Sequence, residues 1–258
     1  SLARRNRARI IASKAASAAG APPAGIAAAM PETGEGAHEY RSLLAALHND
    51  LRNLSDTQSI EARNPLKRDM AATYQPWVIG ALLAGKDGQA AQDEIVVTMM
   101  IWAIDYRDID WALEIAEHVI GFGLALPDRY NRTAPCLIAE EIATAALDNA
   151  AAVTHTQLVK TAELTEASDM PDQARAKLMK ALGRSFATAA AEFEPEADNA
   201  VAGGQAHLLT AAVESFTRAL GLNRNIGVKK DLEAAQRHLA KISGTADQSG
   251  DGQDGQSA

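Results

Sequence analysis

The chain has 258 residues, 47% of them hydrophobic, and a formal charge of −8. That length and apolar content suffice for a sizeable core, in one elongated domain or two smaller ones. Aromatic residues make up only 4%, alanine supplies much of the hydrophobic share and β-branched runs are scarce, so sheet-rich folds are disfavoured and an essentially all-α protein is predicted.

The charge is unevenly laid out along the chain. Ser1 to Lys14 holds Arg4, Arg5, Arg7, Arg9 and Lys14 and no acid. Setting those five cations apart leaves 20 basic against 33 acidic groups, a body near −13 behind one positive arm. Four arginines within six residues repel one another until an anionic polymer relieves them, which makes Arg4, Arg5, Arg7, Arg9 and Lys14 the candidate DNA-binding residues. A disordered solubilising terminus is the competing reading. Gly20 to Gly36 is rich in glycine and proline and reads as a linker between arm and body.

From His38, Tyr40, Leu44, Leu47, Leu51 and Leu54 alternate spacings of four and three, a seven-residue seam that fades at Gln58. The seam fits either a helix packed on its own chain or a self-associating one. Pro76 to Leu83 is an apolar run that predicts a buried helix ended by Gly85 to Gly88. Asp93 to Ala146 then reads as three helices in series. Ile95, Met99 and Trp102 share one face, as do Ala112, Ile115, Ala116 and Val119. Asp108 sits where it can cap the second of these helices, Gly121 and Gly123 end it, and a third starts near Pro135. The helix, tight turn, helix pattern resembles one tetratricopeptide-like unit.

Asp169-Met170-Pro171-Asp172 predicts a further helix start with Asp169 as its cap. Phe193 to Gly204 is an acidic break, and Gln205 to Gly221 with Gly227 to Ile242 predicts a second hairpin. The expected layout is a basic arm and linker over 1–36, a long helix with a candidate oligomerisation role over 37–64 and a helical core over 65–192. An acidic loop over 193–204, a helical hairpin over 205–242 and a disordered acidic tail over 243–258 complete it.

Chemistry is sparse in this pattern. The histidines have no metal-ligand spacing, a single cysteine makes no zinc site, and no glycine-rich loop precedes a Lys-Ser or Lys-Thr pair. Carboxylates that could hold Mg²⁺ for phosphodiester cleavage occur at Asp105, Asp108 and Asp110, as well as at Asp93/Glu94 and Glu140/Glu141. Each also has a plain role as a helix cap or helix-face acid. Cys136, among Pro135, Leu137 and Ile138, reads as a small core residue, and Trp77, Trp102 and Trp111 as core anchors. Arg129, Arg132, Lys229 and Lys230 read as solvated surface cations that could touch phosphates. The lone cysteine, the absence of a membrane-length apolar span and the lack of an apolar core after the basic leader set the expectation of a soluble protein of a reducing cytoplasm.

The order of DEIVVTMMIW, DIDWALEIAE, GLALPDRYNRTAPCLIAEEIA, ASDMPDQARAKLMKALG and GVKKDLE resembles the small terminase subunit of temperate, contractile-tailed double-stranded DNA phages, over about Pro76 to Ile242. That resemblance implies viral DNA packaging in the host cytoplasm, beside a large terminase subunit that carries the ATPase. Together the two would recognise and cut concatemeric DNA at cohesive-end sites for loading into a prohead. It also implies the label of terminase endonuclease subunit, although no catalytic residue carries over by position. The acidic tail and the 193–204 loop depart from the family pattern, which places the burden of DNA contact on the N-terminal arm.

The leading expectation is therefore a small terminase subunit that binds double-stranded phage DNA, docks the large subunit and forms a homo-oligomer. ATP is used by the partner, and no cofactor is expected in this chain. Two alternatives stand beside it: a metal-dependent DNA endonuclease in its own right, with Mg²⁺, and a tetratricopeptide-like adaptor that never touches DNA.

Overall fold

A computed structural model describes residue 11, residues 27–194 and residues 203–250, the last seven of these by backbone alone. The described residues are all-α, with one isolated pair of bridged residues at Ala28 and Ala91 in place of any sheet. Chain contacts divide the molecule into two compact units, Ser1–Ile138 and Ala139–Ala258. The arm residues Arg4, Arg5, Arg7, Arg9 and Lys14 lie outside the described residues.

The first unit is assembled around one wholly buried helix. Helix α1 spans Glu35–Asp56, α2 Ile60–Lys86, α3 Glu94–Asp105 and α4 Ile109–Gly121. Every residue from Ile95 to Ile104 of α3 is buried, and α1, α2 and α4 each pack against it. A helix apolar all round needs neighbours on every side, which explains why α3 is the hub and the longer helices its cover. Helix α2 contributes Tyr74, Trp77, Val78 and Ala81, and α4 contributes Ala112, Leu113, Ile115, Ala116 and Val119. Complete burial of the valine, leucine and isoleucine side chains among these stabilises by about 1.5–3 kcal/mol each, before conformational entropy is set against it.

The seven-residue seam of α1 turns inward, with Leu47 and Leu54 buried and the Tyr40 ring 5.7 Å from that of Trp77. The 37–64 stretch is not one continuous helix. Thr57 is extended, and Ser59 caps the next helix by accepting from the Ala62 amide at 3.3 Å. Arg63 stabilises the break by donating to the carbonyls of Thr57 and Gln58.

Helix α2 also runs through Pro65 and Pro76, which the sequence alone marks as boundaries. Pro65 is exposed and Pro76 half-buried, so the carbonyls that each proline deprives of an amide lie on turns that water can reach. The linker is partly fixed to the body: Ala27 donates to the Phe122 carbonyl at 2.7 Å, Ala28 to Ala90 at 3.1 Å, and Gln92 donates back to Ala28 at 2.7 Å.

Helix α5, Ala134–Asp148, carries the boundary between the units. The second unit continues with a short 3-10 turn at Ala150–Ala152, α6 at His155–Thr165, α7 at Asp172–Ala191, α8 at Gly204–Leu222 and α9 at Lys229–Gly250. One cluster of its buried core is Ala212, Phe216, Ala219, Val228 and Ala235. Helices α7 and α8 approach closely because Gly183 has no side chain: a Cβ there would lie 2.6 Å from two atoms of the Phe216 ring. The Asp169 cap does not form, since α7 begins at Asp172 with Pro171 in the N-cap place and no side-chain cap bond. Helix α9 extends to Gly250, so the first half of the stretch expected to be a disordered tail is helical, and residues 251–258 lie outside the described set. No helix among the described residues is long and apolar enough to cross a membrane.

Candidate functional site

Three polar constellations stand out, and each is built by a distinct piece of local structure. The first is the turn between α3 and α4. Helix α3 ends there in Asp105 and Tyr106, Arg107 takes the left-handed conformation at φ 67°, and Asp108 Oδ1 accepts from the Trp111 amide at 3.3 Å to start α4. Helix α2 clasps this corner from the side. Asn64 donates to the Asp105 carbonyl at 2.8 Å, Lys67 Nζ pairs with Asp105 Oδ2 at 2.5 Å, and Arg68 donates to the Tyr106 carbonyl at 2.7 Å. The Arg68 guanidinium also lies 5.3 Å from the centre of the Tyr106 ring.

The C-terminus of a helix presents free carbonyls and partial negative charge, and cationic donors suit both. The Tyr106 hydroxyl is held above the usual phenol range by burial and by the charge of Asp108, against the opposing pull of Arg68. Of the three candidate carboxylates, Asp105 is therefore engaged by a lysine and Asp108 by a backbone amide, while Asp110 is exposed in the first turn of α4. No group of three or more His, Cys, Asp or Glu side chains is placed to hold a metal ion among the described residues.

The second constellation surrounds Asp93, the cap of α3. Its carboxylate is 3% exposed and accepts from Trp77 Nε1 at 2.7 Å and from the amides of Ile95 and Val96 at 2.9 and 3.1 Å. Burial raises its pKa to about 6, against the stabilising pull of these three donors. Tyr40 lies beside it, accepting from the Glu94 amide at 3.2 Å, and burial followed by the charge of Asp93 raises its hydroxyl above the ordinary phenol range. Glu94 itself reaches His48 at 3.5 Å. This cluster joins α1, α2 and α3 by polar bonds within an apolar unit.

The third is a groove of about 710 Å³ in the second unit. Leu158, Ala181, Leu209 and Phe216 are among its apolar lining, and His155, Arg184, Ser185 and Asp231 are among its polar groups. His155 Nδ1 and Ser185 Oγ share a hydrogen bond of 2.7 Å, and Arg184 Nε donates to Asp231 Oδ2 at 2.9 Å. Burial lowers the His155 pKa, and its ring meets Phe186 edge-on at 4.8 Å. The sequence pattern alone does not mark this groove. One local sign of it exists, the box of Thr154 and Gln157, whose side chains cap α6 reciprocally and so fix the helix that carries His155.

The cysteine and tryptophan candidates take up positions inside or against the first unit. Cys136 is buried, Trp77 and Trp102 lie in the core and Trp111 is half-exposed. Arg129 stacks on Tyr130 at 5.1 Å.

A family model described as phage small terminase subunit matches residues 44–173 of the chain. A protein of Escherichia phage P2 that bears the name "Terminase, endonuclease subunit" is 38% identical over 203 residues, which cover 78% of this chain and 74% of that relative. No solved structure matches.

Proposed function

The chain belongs to the phage small terminase subunit family, and from that premise we propose that it is the DNA-recognition and assembly subunit of a phage packaging machine. In this reading it binds double-stranded phage DNA, docks a large ATPase subunit and, with it, takes part in cohesive-end cleavage and loading of the prohead. The family match carries the packaging role, and the charge layout of the chain supports the division of labour. Arg4, Arg5, Arg7, Arg9 and Lys14 form an acid-free leader ahead of an acidic body. Phosphate contacts of this kind hold a protein on duplex without reading its sequence.

The helical body serves protein contacts, with α3–α4 and α8–α9 read as tetratricopeptide-like hairpins and homo-oligomerisation of the assembled subunit. The test replaces Arg4, Arg5, Arg7, Arg9 and Lys14 by glutamine in the full chain and measures binding to a cohesive-end duplex by gel shift. Five lost phosphate contacts lower the log–log salt slope by ~4.5, at ~0.9 per contact. Unchanged affinity refutes the role of the arm.

The name of the P2 relative favours a second reading, in which this chain itself cuts DNA with Mg²⁺. Asp105, Asp108 and Asp110 would then supply the metal-binding oxygens, and Asp105 would have to leave Lys67 to do so. Purified chain without its partner should nick a cohesive-end plasmid in the presence of Mg²⁺, and Asp105→Asn and Asp110→Asn should abolish the nicking. Activity that survives both substitutions removes Asp105 and Asp110 from the chemistry.

A further inference from the structure

The corner between α8 and α9 holds a second concentration of positive charge, in a unit that is otherwise acidic. Residues 139–258 contain 11 basic and 17 acidic side chains, yet the run from Ser215 to Lys230 contains Arg218, Arg224, Lys229 and Lys230 and no acid. All four cations are exposed. The turn that presents them is well fixed. Asn223 accepts from the Asn225 amide through its side chain at 3.0 Å and from the Ile226 amide through its carbonyl at 3.1 Å, and Gly227 takes φ 78°. Beneath the turn, Val228 is fully buried, and Lys180 of α7 donates to the Ile226 carbonyl at 2.9 Å.

The position of Lys229 and Lys230 opposes local preference. They open α9, where the helix presents its partial positive charge and where acids are favoured over cations. The acid nearest in sequence, Asp231, is paired with Arg184 at 2.9 Å, and Glu233 is the next acid along the helix. Two exposed lysines on a positive helix end, with the exposed Arg224 in the turn before them and no ion pair to an acid among the described residues, make a surface suited by charge to a polyanion. Places where a sequence opposes a local preference on a well-fixed turn are where functional surfaces are expected.

We propose that this corner, through Arg218, Arg224, Lys229 and Lys230, is a second contact for the phosphate backbone of duplex DNA, separate from the N-terminal arm. The inference rests on the DNA-binding reading above and adds to it a site on the folded body. The corner is a contact fixed in position relative to the helices of its unit. Neither it nor the arm reads base sequence.

The test uses the full chain with Arg224→Gln, Lys229→Gln and Lys230→Gln combined, and measures fluorescence anisotropy with a labelled duplex at several salt concentrations. Three lost contacts should lower the log–log salt slope by ~2.7 and weaken binding on the order of a hundredfold near 0.15 M salt, equally for cohesive-end and scrambled duplexes. Lys229→Glu alone, an exposed single change that leaves the packing of Val228 in place, should weaken binding in the same direction. Arg237→Gln, farther along α9, should leave the slope unchanged.

If the corner variants bind as tightly as the parent while the arm variant does not, the corner proposal is overturned and the arm reading stands. If the parent chain binds no duplex at all, both fall. If the corner variants keep DNA affinity and instead lose an acidic protein partner, the surface is a protein contact and the proposal is overturned.

Discussion

Replacing Trp77 by phenylalanine should destabilise the protein by an amount that depends on pH, because the indole donates to a buried carboxylate. Trp77 Nε1 lies 2.7 Å from Asp93 Oδ2, and both residues are almost fully buried. The Asp93 pKa rises from 3.8 to about 6, so its ionised form is disfavoured in the native state by about 3 kcal/mol. The sign follows from the direction of the shift. A carboxyl with a raised native pKa contributes stability that is fully present below pH 3.8 and is lost as pH climbs through about 6.

Trp77→Phe removes one of the donors that restrain this shift, and so raises the native pKa further. Above pH 7 the variant loses a hydrogen bond to a charged group, worth roughly 1.5–3 kcal/mol, plus roughly 1 kcal/mol for the smaller ring. At pH 5 Asp93 is mostly protonated, and the loss falls to that of a neutral bond and the ring. Denaturant unfolding of parent and variant at pH 5 and pH 8 measures the difference. It should be larger at pH 8 by about 1–2 kcal/mol, and an equal loss at both pH values refutes the link between the indole and an ionising carboxylate.

Other consequences are simpler. His118 is buried and its pKa is lowered to about 4, so it contributes stability that is present above pH 6.5 and lost as pH falls through about 4. His118→Leu should therefore unfold less readily on acidification than the parent, and an unchanged acid midpoint contradicts this. The opposite slopes of His118 and Asp93 overlap between about pH 4 and 6, so the parent curve alone shows neither. Gly183→Ala gains about 1 kcal/mol of helix propensity yet drives a Cβ to 2.6 Å from the Phe216 ring; a net loss of ~1–3 kcal/mol is expected by thermal unfolding, and stabilisation refutes the close contact. Thr154→Ala breaks the reciprocal cap of α6 and should cost about 1 kcal/mol, read as a lower denaturant midpoint at unchanged slope.

The legible part of the fold was the part whose signals are local. The capping aspartate at 108, the glycines after Val119 and the three-four spacing of apolar residues mark α3 and α4 without tertiary help. The course of α2 through Pro65 and Pro76 was not legible, because a proline ordinarily stops a helix and only its setting at exposed or half-buried turns allows the chain to continue. Asp169 looks like a cap, but Met170 precedes a proline and is biased towards extended backbone, so the helix opens two residues later than the motif suggests.

Helix α6 lacks an apolar stripe, since two of its three buried residues are Thr161 and Thr165. Both form back-bonds to the carbonyls a turn before them, a pattern with no hydrophobic period. The bond between Trp77 and Asp93 and the groove around His155 and Ser185 join residues 16 and 30 positions apart, and such pairings are products of packing that no spacing rule foretells. Lys229 and Lys230 were legible as solvated cations that could touch phosphates, but the pairing of the neighbouring Asp231 with Arg184, 47 positions away, was not.

The central claim, DNA recognition by this subunit, is tested most directly by the equilibrium affinity of the intact chain for a phage cohesive-end duplex, measured without the large subunit across salt concentrations from about 0.05 to 0.2 M. The account predicts measurable binding that weakens steeply and linearly on a log–log scale, with a slope of several units. A chain that leaves the duplex free at the lowest salt, or binds it with no salt dependence, contradicts it.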